Sequence, residues 1–205
     1  MIAVLDYGCG NLRSVSKALE YLGREAIVTG EAADVARASH VILPGVGAFA
    51  DAIRLFRQSD NGRLEPALRD AVRRGKPVLG ICLGMQLMAL GSDEDGWHDG
   101  LGLFDAPVTR FPKEAGKVPH MGWNQIDSRG GTLFEGVERS FVYFVHSYRI
   151  EGIHAWTAAS CGYGGEFTAA VQRGNLCGAQ FHPEKSGAAG LRVLRNFAGM
   201  GDGGC

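Results

Sequence analysis

Cys82 lies between Gly80 and Gly84 in the run Gly80-Ile81-Cys82-Leu83-Gly84, with apolar residues on either side. Each of those glycines costs roughly 0.5–1 kcal/mol against alanine in a strand or helix, so a packed core alone does not explain them. G-x-C-x-G between a strand and a helix is the nucleophile-elbow arrangement with sulfur in place of a serine hydroxyl. A sharp strand-to-helix turn crowds the positions two residues either side of the nucleophile, which must then be nearly free of side chain. The same turn puts the thiol at a helix N-terminus, where the dipole favours thiolate. A thiolate nucleophile needs an acid–base partner, and six histidines compete: His40, His98, His120, His146, His154 and His182. His182 stands out because Pro183 biases it towards extended geometry and Glu184 follows two residues on, the spacing that shares one side of an extended segment. The carboxylate can then orient the imidazole, as the third member of a triad does.

Acyl transfer also needs donors for a developing oxyanion. The Leu83 amide, directly after the nucleophile, is one. Gly45, Val46 and Gly47 in "PGVG" leave another strand end, and the two glycines allow the peptide around Val46 to rotate and present its N–H. Gly45-Val46-Gly47-Ala48-Phe49-Ala50 also fits the G-x-G-x-x-A dinucleotide fingerprint. That fold wants an acid at the end of the next strand, where this chain has Cys82. "GCGNLR" fails as well, with Arg13 at the third glycine position. Neither a cofactor nor a metal is expected.

These groups require a scaffold that brings strand ends together. "IAVLDYG" (2–8), "EAIVTG" (25–30), "HVILPG" (40–45) and "PVLGI" (77–81) are strand-like. A helix with Leu12, Val15, Leu19 and Leu22 on one face follows the first, with Asn11 as its expected cap. Residues 64–73 form the clearest helix, ended by Gly75 and Pro77. A further helix contains Met85, Gln86, Met88 and Leu90. Alternating strands and helices with continuous apolar strands predict a parallel α/β sheet covered on both faces. After a polar, glycine-rich loop at 92–102, shorter runs such as 140–150 and 166–174 read as antiparallel additions to the same sheet. A last strand runs through 176–184 into a loop, and a helix covers 188–198. The expectation is a three-layer αβα, flavodoxin-like domain over 1–198, with an antiparallel extension in its C-terminal half and a flexible tail at 199–205.

Composition sets the boundaries of function. Of 205 residues, 45% are hydrophobic and 21% charged, ordinary for a globular chain, and 21 basic residues face 22 acidic ones. Neither nucleic acid nor a membrane surface is indicated as the main partner. The five cysteines, at 9, 82, 161, 177 and 205, contain no C-x-x-C pair, which opposes both a disulfide framework and a zinc site. "MIAVLDYG" lacks the basic and apolar regions of a signal peptide, and no run approaches the ~20 apolar residues of a membrane span. A cytoplasmic protein is expected.

With Cys82, His182 and Glu184 in place, the chain resembles the class I, or triad, glutamine amidotransferases over nearly its whole length. "GICLGMQ" and "FHPE" carry that resemblance. "DYGCGN", "LPGVGAF", "KVPHMGWN" (117–124), "YFVHSY" (143–148) and "HPEKS" (182–186) narrow it to the glutaminase subunits of imidazole glycerol phosphate synthase. The resemblance implies that Cys82 attacks the glutamine amide, His182 protonates the leaving ammonia, and Glu184 orients His182. It implies that Gly45, Gln86, Ser147 and Tyr148 hold the substrate. It further implies that ammonia passes to a separate (β/α)8-barrel cyclase subunit docked against Met121, Trp123, Asn124, Tyr143 and Lys185. Two other readings stand beside this one: the glutaminase of pyridoxal phosphate synthase, and a catalytically silent binding subunit. "VPHMGWN" and "HPEKS" oppose the first, and the intact triad opposes the second.

Overall fold

The computed structural model describes residues 1–201. Its first half alternates as the sequence pattern predicts: β1 (Ile2–Leu5), α1 (Leu12–Tyr21), β2 (Ala26–Thr29), α2 (Ala32–Arg37), β3 (His40–Gly45), α3 (Phe49–Gly62), α4 (Leu64–Arg73), β4 (Val78–Cys82) and α5 (Leu83–Leu87). The second half is richer in strands: β5 (Gly91–Ser92), β6 (His98–Asp99), β7 (Pro107–Arg110), β8 (His120–Gln125), β9 (Asp127–Ser128), β10 (Phe141–His146), β11 (Tyr148–Glu151), β12 (Thr157–Gly162), β13 (Glu166–Arg173) and β14 (Leu176–Ala179). The helix α6 (Gly187–Ala198) follows them.

Twelve strands share one sheet, whose main path runs β2-β1-β3-β4-β14-β13-β11-β7-β5-β6. The first five of these are parallel, and β13, β11 and β7 continue antiparallel. The burial of β1, β3 and β4 on both faces follows from their apolar runs: Val41 and Leu43 join the core under α3 and α4, while Ile42 joins the core under α1 and α6. Helices therefore cover both faces, the three-layer arrangement expected.

Three features depart from the sequence reading. The helix α3 was hidden behind "PGVGAF", yet Phe49, Ala52, Ile53 and Phe56 bury one face at helical spacing. Its backbone leaves helical geometry at Ser59–Asn61 before α4 begins. The run 140–150 is two strands broken at Ser147. The first of them, β10, pairs antiparallel with β8 in a separate two-stranded ribbon rather than joining the main sheet. At the C-terminus, the expected tail starts too early. Met200 packs on the core and its carbonyl lies 2.8 Å from the His40 ring, while residues 202–205 of that tail lie outside the described residues. No helix among the described residues is long and apolar enough to cross a membrane.

Candidate active site

The site stands where the parallel strands β3, β4 and β14 end side by side, with Gly45 opposite Cys82 and Ala179 opposite Ile81. Carboxyl ends of such strands are where open α/β sheets place their chemistry. Cys82 adopts φ 53° and ψ −111°, a conformation that side chains other than glycine rarely hold, and α5 starts at the next residue. Strain of this kind, on the order of 1–3 kcal/mol, persists only where the surroundings over-determine it. Here the surroundings are glycines. A Cβ on Gly80 would stand 2.7 Å from the Met85 backbone, and one on Gly84 would stand 1.8 Å from the Leu43 carbonyl oxygen. Gly45 faces the same contact from the other side, 2.7 Å from the Gly84 nitrogen by the same measure. The glycines let α5 fold back onto two strands, which leaves the elbow no room to relax.

His182 follows β14 and is brought to the elbow by the β4–β14 pairing. It is buried, and its Nδ1 lies 2.9 Å from Glu184 Oε1, itself fully buried. The His–Glu approach arises differently from the extended geometry expected. His182 is extended, but Pro183–Lys185 is a single 3-10 turn that folds Glu184 back towards the ring. Ser186 pins this turn: its hydroxyl donates to the His182 carbonyl at 2.7 Å and accepts the Tyr143 amide at 2.9 Å. Asn11, expected as a helix cap, makes no cap hydrogen bond. Its Nδ2 instead donates to Glu184 Oε1 at 3.4 Å. Burial works against a charged His182, but the adjacent Cys82 sulfur and the Glu184 carboxylate outweigh it and raise its pKa to about 10. The Nε2 atom of His182 is buried without a hydrogen-bond partner.

A cavity of about 290 Å³ opens on Cys82 and His182. Val46, Gly47, Leu83, Gln86, Ser147 and Tyr148, six of the residues singled out in the sequence, line it together with Cys82 and His182. Gly47 holds φ 101°, a glycine conformation, and the Val46 side chain is exposed. Gly45 is not at the cavity wall; it packs under α5 against Leu83 and the Tyr7 hydroxyl. Tyr7 in turn donates to the Pro44 carbonyl at 2.7 Å and so braces the start of the "PGVG" segment.

Of the residues expected at a partner face, Met121, Trp123 and Tyr143 lie on the outer face of the β8–β10 ribbon. Trp123 is paired across from Tyr143 and stacks edge-on against it at 6.2 Å. Phe141 extends this stripe, and Met121, Trp123 and Phe141 are 60%, 55% and 57% exposed. The Lys185 ammonium lies 5.9 Å from the Tyr143 ring centre. Asn124 does not belong to the stripe: strand alternation turns it to the inner face, where its amide lies 3.3 Å from the His120 ring.

The sequence reading missed Gln180, Glu94 and the pair His120–His146. Gln180 Nε2 donates to the Cys82 sulfur at 3.7 Å, and Gln86 Nε2 donates to Gln180 Oε1 at 2.9 Å. Its position two residues before His182 was the available signal. Glu94 accepts the Phe49 amide at 2.7 Å, which ties the loop after β5 to the start of α3 at the cavity edge. His120 and His146 lie inside the runs "KVPHMGWN" and "YFVHSY", but nothing in those runs gave the two imidazoles a role. Burial lowers their pKa values to about 4 and about 3.

These depressed values carry a stability prediction. Below about pH 6.5 the unfolded chain takes up protons that the native imidazoles refuse, so stability falls as pH drops from there towards about 4. The slope is roughly 1.4 kcal/mol per pH unit for each histidine. His182 has the opposite sign, its contribution being lost only as pH rises from about 6.5 towards its raised value. Urea midpoints measured at pH 7, 6 and 5 are expected to fall steeply across that series, and a flat profile refutes the assignment.

Known proteins bear on this geometry. Residues 3–199 match the family model described as glutamine amidotransferase class-I. The HisH subunit of imidazole glycerol phosphate synthase from Methanosarcina barkeri is 47% identical over 203 residues, covering 97% of this chain and 98% of the relative. The corresponding subunit from Geobacillus thermodenitrificans is 49% identical, covering 98% and 96%. A crystal structure of a glutamine amidotransferase, 22% identical, superposes with a TM-score of 0.76 over 97% of this chain and 98% of that one, a likeness of fold alone. The chain belongs to the class-I glutamine amidotransferase family.

Proposed function

We propose that the chain is the glutaminase subunit of an imidazole glycerol phosphate synthase. The observation that carries this is the meeting of Cys82 and His182 on one cavity, with Glu184 behind the His182 ring, in a chain whose relatives along nearly its full length are such subunits. Cys82 attacks the side-chain amide carbon of glutamine, with the oxyanion received by the Leu83 N–H and by a donor from the Val46–Gly47 segment. His182 delivers its proton from Nε2 to the departing nitrogen, so that ammonia leaves and a γ-glutamyl thioester remains. The same nitrogen then draws a proton from a water molecule that cleaves the thioester to glutamate. Glu184 holds the ring in orientation throughout, and Gln86, Ser147 and Tyr148 position the substrate.

Ammonia passes to a separate (β/α)8-barrel cyclase, which makes imidazole glycerol phosphate and aminoimidazole carboxamide ribotide for histidine biosynthesis. The exposed stripe of Met121, Trp123, Phe141 and Tyr143 supports docking of that partner. Aromatic and Met side chains dominate interface centres, and a contiguous exposed apolar group needs cover. Glutamine hydrolysis is expected to be weak for the chain alone and to rise by at least about tenfold with a cyclase subunit and its nucleotide ligand, an ordinary coupling. Equal rates with and without the partner overturn the activation. No hydrolysis under any of the conditions overturns the function itself.

A further inference from the structure

One hydrogen-bond path crosses the protein from β8 to the nucleophile, and its polarity is determined at every step. The Tyr148 carbonyl can only accept, so His146 Nδ1, 2.8 Å away, carries a hydrogen. Burial keeps both imidazoles neutral, and His146 Nε2 is therefore an acceptor facing His120 Nδ1 at 3.1 Å. His120 Nδ1 then donates, which leaves His120 Nε2 to accept from Asn124 Nδ2 at 3.3 Å. The Asn124 amide cannot be reversed, because its Oδ1 already accepts the Gln125 N–H at 3.0 Å. At the other end, Gln86 Nε2 donates to the same Tyr148 carbonyl at 2.9 Å and to Gln180 Oε1 at 2.9 Å. Both of its hydrogens are committed, so the group Gln86 has left for a ligand in the cavity is an acceptor oxygen. Gln180 is fixed in turn, with its Nε2 towards Cys82.

We propose that His120 and His146 are positioning residues for the glutamine site, a neutral two-imidazole relay that holds the Tyr148 carbonyl and thereby the orientation of the Gln86 and Gln180 amides. Neither reacts. His120 is clamped between the Phe144 ring at 4.8 Å and the Tyr163 ring at 3.9 Å, both nearly parallel to it, so its ring plane is set by packing and its role in the path is to donate. The proposal rests on the glutaminase reading and concerns how that site is held.

The test replaces His120 with phenylalanine, which keeps the stack and removes the donor. It is measured in the complex with the cyclase. The KM for glutamine is expected to rise about five- to tenfold, with kcat within about threefold, because the lost contact orients the binding site rather than the transition state. His120→Asn restores an N–H near the position of Nδ1 and is expected to recover most of the loss. Asn124→Asp is the second variant should His120→Phe fail to fold. It presents an acceptor to His120 Nε2, draws the hydrogen onto that nitrogen and is expected to raise KM likewise. A KM within about twofold of the parent in a folded His120→Phe or Asn124→Asp protein overturns the relay. So does an equal rise in His120→Phe and His120→Asn, which leaves packing alone. A readout independent of activity is the imidazole nitrogen spectrum at neutral pH, where both rings are expected as the Nδ1–H tautomer; Nε2–H in either ring overturns the proposal. Absence of glutaminase activity in the parent complex removes the functional reading, while the tautomers still judge the relay.

Discussion

Replacing Cys82 with alanine is expected to lower glutamine-dependent turnover by about 10⁴-fold or more, the scale on which removal of a nucleophile acts when covalent chemistry is the route. On the proposed mechanism no neighbouring group takes over from Cys82, since His182 serves as the proton carrier and Gln180 only donates to the sulfur. Serine at this position is expected to be nearly as inactive, since a hydroxyl needs a stronger base than a thiol at the same pH. Both variants are expected to fold: alanine and serine meet the same backbone strain as cysteine at φ 53° and add no atoms. The diagnostic contrast is ammonium. A complex carrying either variant is expected to form imidazole glycerol phosphate from added ammonium at close to the parent rate, because the cyclase chemistry lies in the other subunit. Loss of both activities indicates failed assembly. Retention of glutamine-dependent turnover within about tenfold refutes Cys82 as nucleophile. Labelling of the parent by diazo-oxo-norleucine, blocked by glutamine and absent in the alanine variant, is the corresponding chemical check.

The parts of this site that could be read in advance are those in which one residue type is demanded by local geometry. Gly80 and Gly84 flank Cys82 because α5 folds back onto the strands, and that demand is visible in five residues of sequence. The parallel core was legible for a similar reason, since strands buried on both faces read as unbroken apolar runs. What escaped were contacts whose logic is non-local. Asn11 has the residue type of a cap, and only the tertiary structure shows its amide reaching Glu184, 173 positions away. His120 and His146 stand in two runs more than twenty positions apart, and nothing local couples them until the β8–β10 register sets them opposite each other. The ribbon itself was misassigned because β10 alternates apolar and half-exposed residues as an edge strand of the main sheet would, and pattern alone does not name a strand's partner. Asn124 was placed with its neighbours at the partner face, and strand alternation divides them: Trp123 outward, Asn124 inward.

The second large effect is expected at Gly84, where a single methyl group tests whether the elbow is built by close approach or merely decorated with small residues. An alanine Cβ there would meet Leu43 O at 1.8 Å, Leu43 C at 2.8 Å and Pro44 C at 3.2 Å. All three are backbone atoms of β3, a strand paired on both sides, so no side chain can swing away to relieve the overlap. The remaining response is for α5 to lift from the sheet by well over an ångström, which carries the Leu83 amide with it and pulls on Cys82. Overpacking against a rigid backbone is expected to destabilise the protein by about 3 kcal/mol or more. In whatever fraction stays folded, a misplacement of about 1 Å at this proposed oxyanion donor is expected to lower kcat by about 10²-fold. Gly162→Ala serves as the control, since its Cβ meets nothing within 4 Å and its φ is not in the left-handed region. A change within about 0.5 kcal/mol is expected there. Urea midpoints for the two variants and the parent, read beside glutaminase rates in the complex, separate the outcomes. If Gly84→Ala matches Gly162→Ala in both, the close approach of α5 to β3 is not what shapes the elbow, and the strained φ of Cys82 must be held by other contacts.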